Sequence, residues 1–335
     1  MNEELQLNVQ LLKRRVPNLT KASQSVGLRA ATVSNLTTGK TPVGKAEVRT
    51  LVALATLAGC TLDELIIRGS GTRMLETGIK VLDVFAPIVR GGTVGLVARP
   101  KMGQFVVMSE LFRRVKKREY STLLWLPEKL EPGVSDTIGE ADLTCRTLDE
   151  VLDQIEKIGH DQDIMLGVER EFVLSGDVLR LKEKLTELGV RPVTILLADM
   201  RGHAMDEDVP YGPLDTLLRF DADLVSRHLF PAIDIVYSTS TVLEGGQLEA
   251  HHLTLQQRAK RIMRRYRELR SLVAASGEQR LSDQDRDTYE KGERLEAYLA
   301  QPFFVAEAFT KKPGEWVSLN DALDGLRRIL DTTEK

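Results

Sequence analysis

Cysteine is nearly absent. The chain of 335 residues has two, Cys60 and Cys145. That excludes a disulfide-stapled scaffold and a thiolate metal cluster, and two buried free thiols are expected. The five histidines show no ligand spacing, so no metal is expected, and His251-His252 reads as an exposed pair at a helix start. Aromatic residues make up only 5%. No stretch approaches the roughly 18 uncharged apolar residues that span a bilayer, so no membrane span is expected. Met1-Asn2-Glu3-Glu4 does not open a signal peptide, and a cytoplasmic location is the expectation. What is present is ordinary for a globular chain, 42% hydrophobic and 28% charged. The length suits two or three domains.

The net charge of −3 speaks against nucleic acid for the chain as a whole, but the charges are unevenly placed. Residues 1–73 hold 10 Lys+Arg against 5 Asp+Glu, a net of +5, and the remainder holds 36 against 44, a net of −8. A basic module on an acidic body is the asymmetry of a tethered nucleic-acid reader.

Residues 1–68 read as an all-α domain of about five short helices. The apolar spacing of Leu5, Val9, Leu11 and Leu12 predicts a helix over 5–15, ended by Pro17. Asn18 caps a second helix reaching 26, and Gly27 supplies a turn. A third runs over 30–37 and is closed by Gly39, with two more over 47–57 and 62–67. Helix, glycine turn and short helix form a helix-turn-helix pattern. The run from Gly27-Leu28-Arg29-Ala30 through Thr32-Val33-Ser34-Asn35-Leu36 to Gly39-Lys40 resembles the recognition segment of lambda-repressor/Cro (XRE-type) domains. Ala58-Gly59-Cys60-Thr61-Leu62-Asp63-Glu64-Leu65 is similar to that family's last helix. Val33 and Leu36 are expected inward. Arg29, Ala31, Thr32 and Asn35 then fall on the outward face, where a recognition helix meets base edges. Lys40 and Lys45 suit phosphate contacts. The family has a capping serine or threonine where Arg29 stands. The competing reading is a helical protein–protein module of the same fold.

Residues 91–107, GGTVGLVARPKMGQFVV, occupy the place of a phosphate-binding loop without its working residues. The loop signature is G-x-x-x-x-G-K-[ST]. Here the eight positions are Ala98, Arg99, Pro100, Lys101, Met102, Gly103, Gln104 and Phe105. Gln104 stands in place of the phosphate-reaching lysine and Phe105 in place of the magnesium-holding hydroxyl. Pro100 removes a backbone N–H from the cradle.

The surroundings are intact. Glu76-Thr77-Gly78-Ile79-Lys80-Val81-Leu82-Asp83 and Ala86-Pro87 resemble the approach to this loop in the β subunit of the rotary ATP synthase, in the wider family that includes the terminator Rho. Phe230-Pro231-Ala232-Ile233-Asp234 and Gln301-Pro302-Phe303-Phe304-Val305-Ala306-Glu307-Ala308-Phe309-Thr310 are similar to later segments of that subunit. The resemblance spans about residues 74–331. It implies a RecA-like, mostly parallel sheet followed by a C-terminal helical domain. The expected boundaries are a linker at 69–75, the sheet domain at 76–240 and the helical domain at 241–335.

Strands are expected over 93–98, 120–126, 162–169 and 193–199, with a helix over 104–117. By resemblance, Glu128 takes the position of the carboxylate that orients the attacking water, and Glu169 that of the magnesium-linked carboxylate. The alternative for both is a plain strand-end residue. Phe230, Tyr298 and Phe303 match rings that hold adenine in the family, or they are core packing. Helices are expected over 254–275, 282–299 and 320–330. The first carries a basic stripe that reads as a solvated face, countered by the acidic segment 282–296.

Phosphoryl transfer depends on the loop, its lysine and Mg²⁺. With these supports damaged, no hydrolysis is expected and no cofactor is required, a weak nucleotide contact being the most that remains. The leading expectation is a DNA-binding, transcriptional type of regulator. Its ATPase-like body would be a silent scaffold for oligomers or protein partners, and a homodimer or higher homo-oligomer is the default. The alternative is a non-catalytic pseudo-ATPase subunit that docks onto another ATPase.

Overall fold

The computed structural model describes residues 6–16, 19–38, 40–67, 74–118, 120–130, 133–201, 211–245, 248 and 250–332. The chain divides into two compact units. One comprises residues 1–73 with 244–247, the other residues 74–243 with 248–335.

In the first unit, α1 (Val9–Arg15), α2 (Leu19–Ser25), α3 (Ala30–Thr37), α4 (Val48–Ala58) and α5 (Leu62–Leu65) surround a core of Leu12, Val33, Leu36, Leu51, Leu54 and Leu65. The third helix has the predicted bounds. The ends differ from expectation. Residues 6–7 are not helical: β1 (Gln6–Leu7) pairs antiparallel with β2 (Ile66–Ile67). Asn8 starts α1 by accepting the Leu11 N–H at 3.0 Å. The branched pair Ile66-Ile67 suits a strand better than a last helical turn. Asn18 and Gly39, expected as cap and closer, lie outside the described residues.

The second unit opens with β3 (Met74–Leu75), which pairs antiparallel with β4 (Ile88–Val89) on either side of α6 (Lys80–Phe85). There follow β5 (Thr93–Val97), α7 (Gln104–Val115), β6 (Tyr120–Trp125), α8 (Val134–Glu140), β7 (Leu143–Cys145) and α9 (Leu148–Ile158). Next come β8 (Asp163–Glu169), α10 (Glu171–Leu174), α11 (Asp177–Leu188), β9 (Val193–Ala198), β10 (Thr216–Arg219), α12 (Ala222–Ser226), β11 (Thr239–Ser240) and α13 (Val242–Gly245). The end of the chain is helical: α14 (Ala250–Ser276), α15 (Asp283–Leu299), α16 (Glu307–Thr310) and α17 (Leu319–Asp331). The strand order is β11-β10-β5-β9-β8-β6-β7, parallel except for β11.

β5, β8 and β9 are buried along their whole length, as their unbroken apolar runs require when both sheet faces are covered. On one face Leu96, Leu124, Met165, Leu196 and Leu218 pack against α6, α7 and the C-terminal helices. On the other, Val97, Leu123, Leu166, Val168 and Leu197 pack against Val151 and Ile155 of α9 and Val178 and Leu181 of α11. The unit is a RecA-like α/β fold with a C-terminal helical region sharing one of its cores. Ser282 and Ser318 cap α15 and α17 by accepting the Asp285 and Asp321 N–H groups, each at 3.2 Å.

Three expectations are corrected here. His252 is buried, not exposed: its Nε2 lies 2.8 Å from the Val84 carbonyl, and burial lowers its pKa. Cys60 is half-buried, whereas Cys145 is buried, and both are free. The basic stripe of α14 is not a merely solvated face. Arg267 pairs with Asp234 at 2.9 Å and Asp221 at 3.2 Å, Arg270 with Asp223 at 2.7 Å and Arg258 with Asp331 at 2.8 Å. Arg265, to Asp285 at 2.9 Å, does use the acidic segment that was expected to balance the stripe. Among the described residues no helix is long and apolar enough to cross a membrane, and no cluster of metal-ligating side chains is found.

Candidate functional site

The turn from β5 to α7 lies at the carboxyl end of the parallel sheet, where folds of this class place ligands. Its fold is set by two apolar anchors. Met102 and Phe105 are 5% and 9% exposed and belong to the main core. The Arg99 N–H points at the Met102 sulfur, 3.2 Å away, so it closes the turn rather than facing an anion. Pro100 has no N–H to give. The Phe105 carbonyl accepts the Thr137 hydroxyl of α8 at 3.3 Å, and its ring lies under Gly133. Gly103, at φ 93°, makes the left-handed step into the helix. Gln104 is 2% exposed, and its Oε1 finds no hydrogen-bond donor among the described residues. Arg99 and Lys101 are exposed, and Lys101 is itself left-handed at φ 66°.

Glu128 follows the carboxyl end of β6 and Glu169 is the last residue of the neighbouring parallel strand β8. They are differently placed. Glu128 is exposed. Glu169 is fully buried and accepts the Met200 N–H, just past the end of β9, at 2.6 Å and the Glu171 N–H, at the start of α10, at 3.3 Å. Burial pushes its pKa up to about 7. β9 separates β8 from the strand that carries the loop. At the usual spacing this sets the two strand axes roughly 10 Å apart.

Sequence reading missed the charged cluster beside Glu169. Arg170 is 4% exposed, stacks 5.7 Å from the Tyr211 ring centroid, and its Nε and Nη1 lack partners among the described residues. Arg201 pairs with Glu171 at 2.5 Å. Nothing in the sequence links 170, 201 and 211; the strand order brings them together.

Of the three candidate adenine rings, two meet. Phe230 and Phe303 line one cavity of about 650 Å³, together with Met102, Val106, Phe220 and Pro302. Tyr298 does not. Its hydroxyl donates to the Ala322 carbonyl at 3.0 Å and its ring carries the Lys80 ammonium at 4.6 Å, so it joins α15 to α17 and α6 instead. The α-helical register turns residue 298 away from the cavity that Ala297 and Ala300 line.

A second constellation joins the two ends of the segment that resembles the ATP synthase subunit. Arg114 is 3% exposed. Its Nε donates to Glu110 at 2.6 Å, Nη1 to the Thr77 and Gly78 carbonyls at 3.1 and 2.8 Å, and Nη2 to the Glu315 carbonyl at 2.6 Å. Glu110 in turn accepts the Phe304 and Val305 N–H groups at 3.2 and 3.0 Å. The Gln301 amide donates to the Gly78 and Glu315 carbonyls, both at 2.8 Å, and accepts the Lys80 N–H at 2.9 Å. Trp316 lies on Gly78 so closely that a Cβ there would be 2.3 Å from the indole. Arg114, Glu110 and Gln301 are buried in the seam with their polar groups paired, and Trp316 covers it from the solvent side.

In the first unit, Arg29, Ala31, Thr32, Asn35, Lys40 and Lys45 are all exposed, whereas Val33 and Leu36 are 2% and 3% exposed. Arg29 is the N-cap of α3 and makes no side-chain cap hydrogen bond. Arg29, Thr32, Lys45 and Arg49 share an open cleft of about 680 Å³.

Residues 243–334 match the family model of the C-terminal domain of V and A type ATP synthase. The chain is also similar to a solved structure described as that of a unique ATP synthase subunit NeqB from Nanoarcheaum equitans. The match has 16% identity, covers 77% of this chain and 76% of that one, and has a TM-score of 0.61. At that identity the likeness is one of fold. The second unit has an ATP-synthase-like fold.

Proposed function

We propose that the second unit is a non-catalytic counterpart of an ATP synthase subunit, which works by engaging protein partners and not by turning over nucleotide. One observation carries this reading. The seam that holds such a fold together is complete, while the turn at 98–105 is closed by Met102 and Phe105. Each lost electrostatic donor removes about 3–4 kcal/mol of transition-state stabilisation, and this turn lacks both the lysine and the hydroxyl. The match of residues 243–334 to an ATP synthase domain supports protein partners of that kind. The test is turnover. The full chain is expected to release no phosphate from Mg·ATP above a no-enzyme blank. Hydrolysis that Glu128→Gln abolishes would overturn the reading.

A second reading concerns the first unit, and a specific observation favours it: the outward set Arg29, Thr32, Asn35, Lys40 and Lys45 is exposed on and beside a short helix of a net basic module. We infer that this module is a DNA-binding helix-turn-helix, so that the chain acts as a regulator with a silent body, self-associated to read two half-sites. In fluorescence anisotropy, random-sequence duplex DNA is expected to bind at low salt, with affinity falling steeply as salt rises. The double change Arg29→Ala with Asn35→Ala should weaken it at least about tenfold. No binding at low salt rules this reading out and leaves the first untouched.

A further inference from the structure

We propose that the cavity beside the closed turn binds a planar aromatic molecule that carries one negative charge and no phosphate chain. The proposal rests on the reading of residues 98–105 as closed to phosphate, and deepens it by naming what the remaining space can take.

The volume of about 650 Å³ falls in the range of small-molecule sites. Its walls are rings and aliphatic groups, among them Met102, Val106, Phe220, Phe230 and Phe303. Phe303 is 5% exposed and firm, whereas Phe230 and Val106 leave 42% and 45% of their surface to water. Exposed apolar surface of this kind, in a concave setting, gains free energy when a flat apolar body covers it. The polar amide in the wall, Gln301, has its donor and acceptor occupied by Gly78, Glu315 and Lys80. It therefore has no donor left for a base edge.

The ionisable residues in the lining are His228 and Lys312, and no carboxylate lines it. Both are exposed, at the solvent side. One lysine and one histidine match a single carboxylate or sulfonate. They cannot replace a cradle of backbone N–H groups around a polyphosphate. Met102 forms part of the wall on the side of the turn, where a phosphate chain would have to leave. The occupant that fits size, wall and charge together is an aryl carboxylate or aryl sulfonate of two or three rings.

The experiment is a fluorescence titration of the full chain with two probes of nearly the same shape, anilinonaphthalene sulfonate and neutral phenyl-naphthylamine. Both are expected to bind saturably, one per chain, with the sulfonate tighter. Ala297→Trp, at an exposed position that lines the cavity, should fill it and weaken both probes at least about tenfold. Lys312→Ala should weaken the sulfonate about threefold and leave the neutral probe unchanged. Unchanged urea midpoints for both variants keep the comparison valid, and Val106→Trp serves in place of any variant that shifts its midpoint. Absence of saturable binding, or binding indifferent to the filling substitution, overturns the proposal. So does an equal effect of Lys312→Ala on both probes. Displacement of the sulfonate by millimolar Mg·ATP would instead overturn the reading of the turn, so the two failures are told apart.

Discussion

The seam around Gly78 and the turn around Gly103 lie on opposite ends of one helix's reach. Arg114 near the end of α7 belongs to the first, and Gln104 at its start to the second. In both, the sequence resembles a nucleotide-driven subunit in its surroundings. At the seam every polar atom named above has a partner. At the turn the Gln104 amide oxygen is buried without one among the described residues, and the Met102 sulfur accepts the Arg99 N–H. The residues that hold the fold are in place, and the turn is closed by Met102 and Phe105. A resemblance located by residues that hold the fold therefore says what the chain looks like and little about what it does.

Substitutions at the two places should differ sharply. Arg114→Ala is expected to have the largest effect. It leaves Glu110 buried without its cation and takes one donor from each of the Thr77, Gly78 and Glu315 carbonyls, of which the last two keep the Gln301 amide, a loss of about 3–5 kcal/mol in urea denaturation. Two left-handed glycines give the cleanest contrast. Gly78→Ala meets both the strain of φ 69° and the Trp316 ring, and should cost about 3 kcal/mol. Gly103→Ala meets only strain, since nothing lies within 4 Å of its added Cβ, and should cost about 1–2 kcal/mol. Equal costs would break the comparison between a packed seam and a merely closed turn.

The most condition-dependent effect belongs to Glu169. Its folded pKa is raised to about 7 from 4.5, so the folded state holds a proton that the unfolded state has lost in between. This group's contribution is full below about pH 4.5, declines as pH rises and is gone above about pH 7, a change of at most about 3 kcal/mol. Glu169→Gln should flatten that slope between pH 5 and 7 relative to the parent (about 2 units of the titration range). Parallel stability profiles for the two proteins would show that Glu169 stays ionised.

Much of the fold is legible in the sequence. The unbroken apolar runs of β5, β8 and β9 announce a sheet buried on both faces, and the third helix of the first unit follows from Gly27 and the Val33/Leu36 spacing. What could not be read depends on distant partners. His252 looks like an exposed pair member until the Val84 carbonyl arrives from 168 residues away. Tyr298 looks like a ligand ring until helical register turns it toward α17. Arg267 and Arg270 of α14 pair with Asp221, Asp223 and Asp234, earlier in the chain, and not with the acidic run that follows them in sequence. The cavity wall draws on four separate stretches of chain, so no local pattern contains it.

The most direct test of the closed turn is calorimetric titration of the full chain with Mg·ATP at low ionic strength. No heat of saturable binding is expected up to millimolar nucleotide, and correspondingly no rise in melting temperature. A dissociation constant near ten micromolar would instead stabilise the fold by about 2.7 kcal/mol at a hundredfold excess, and would contradict the account.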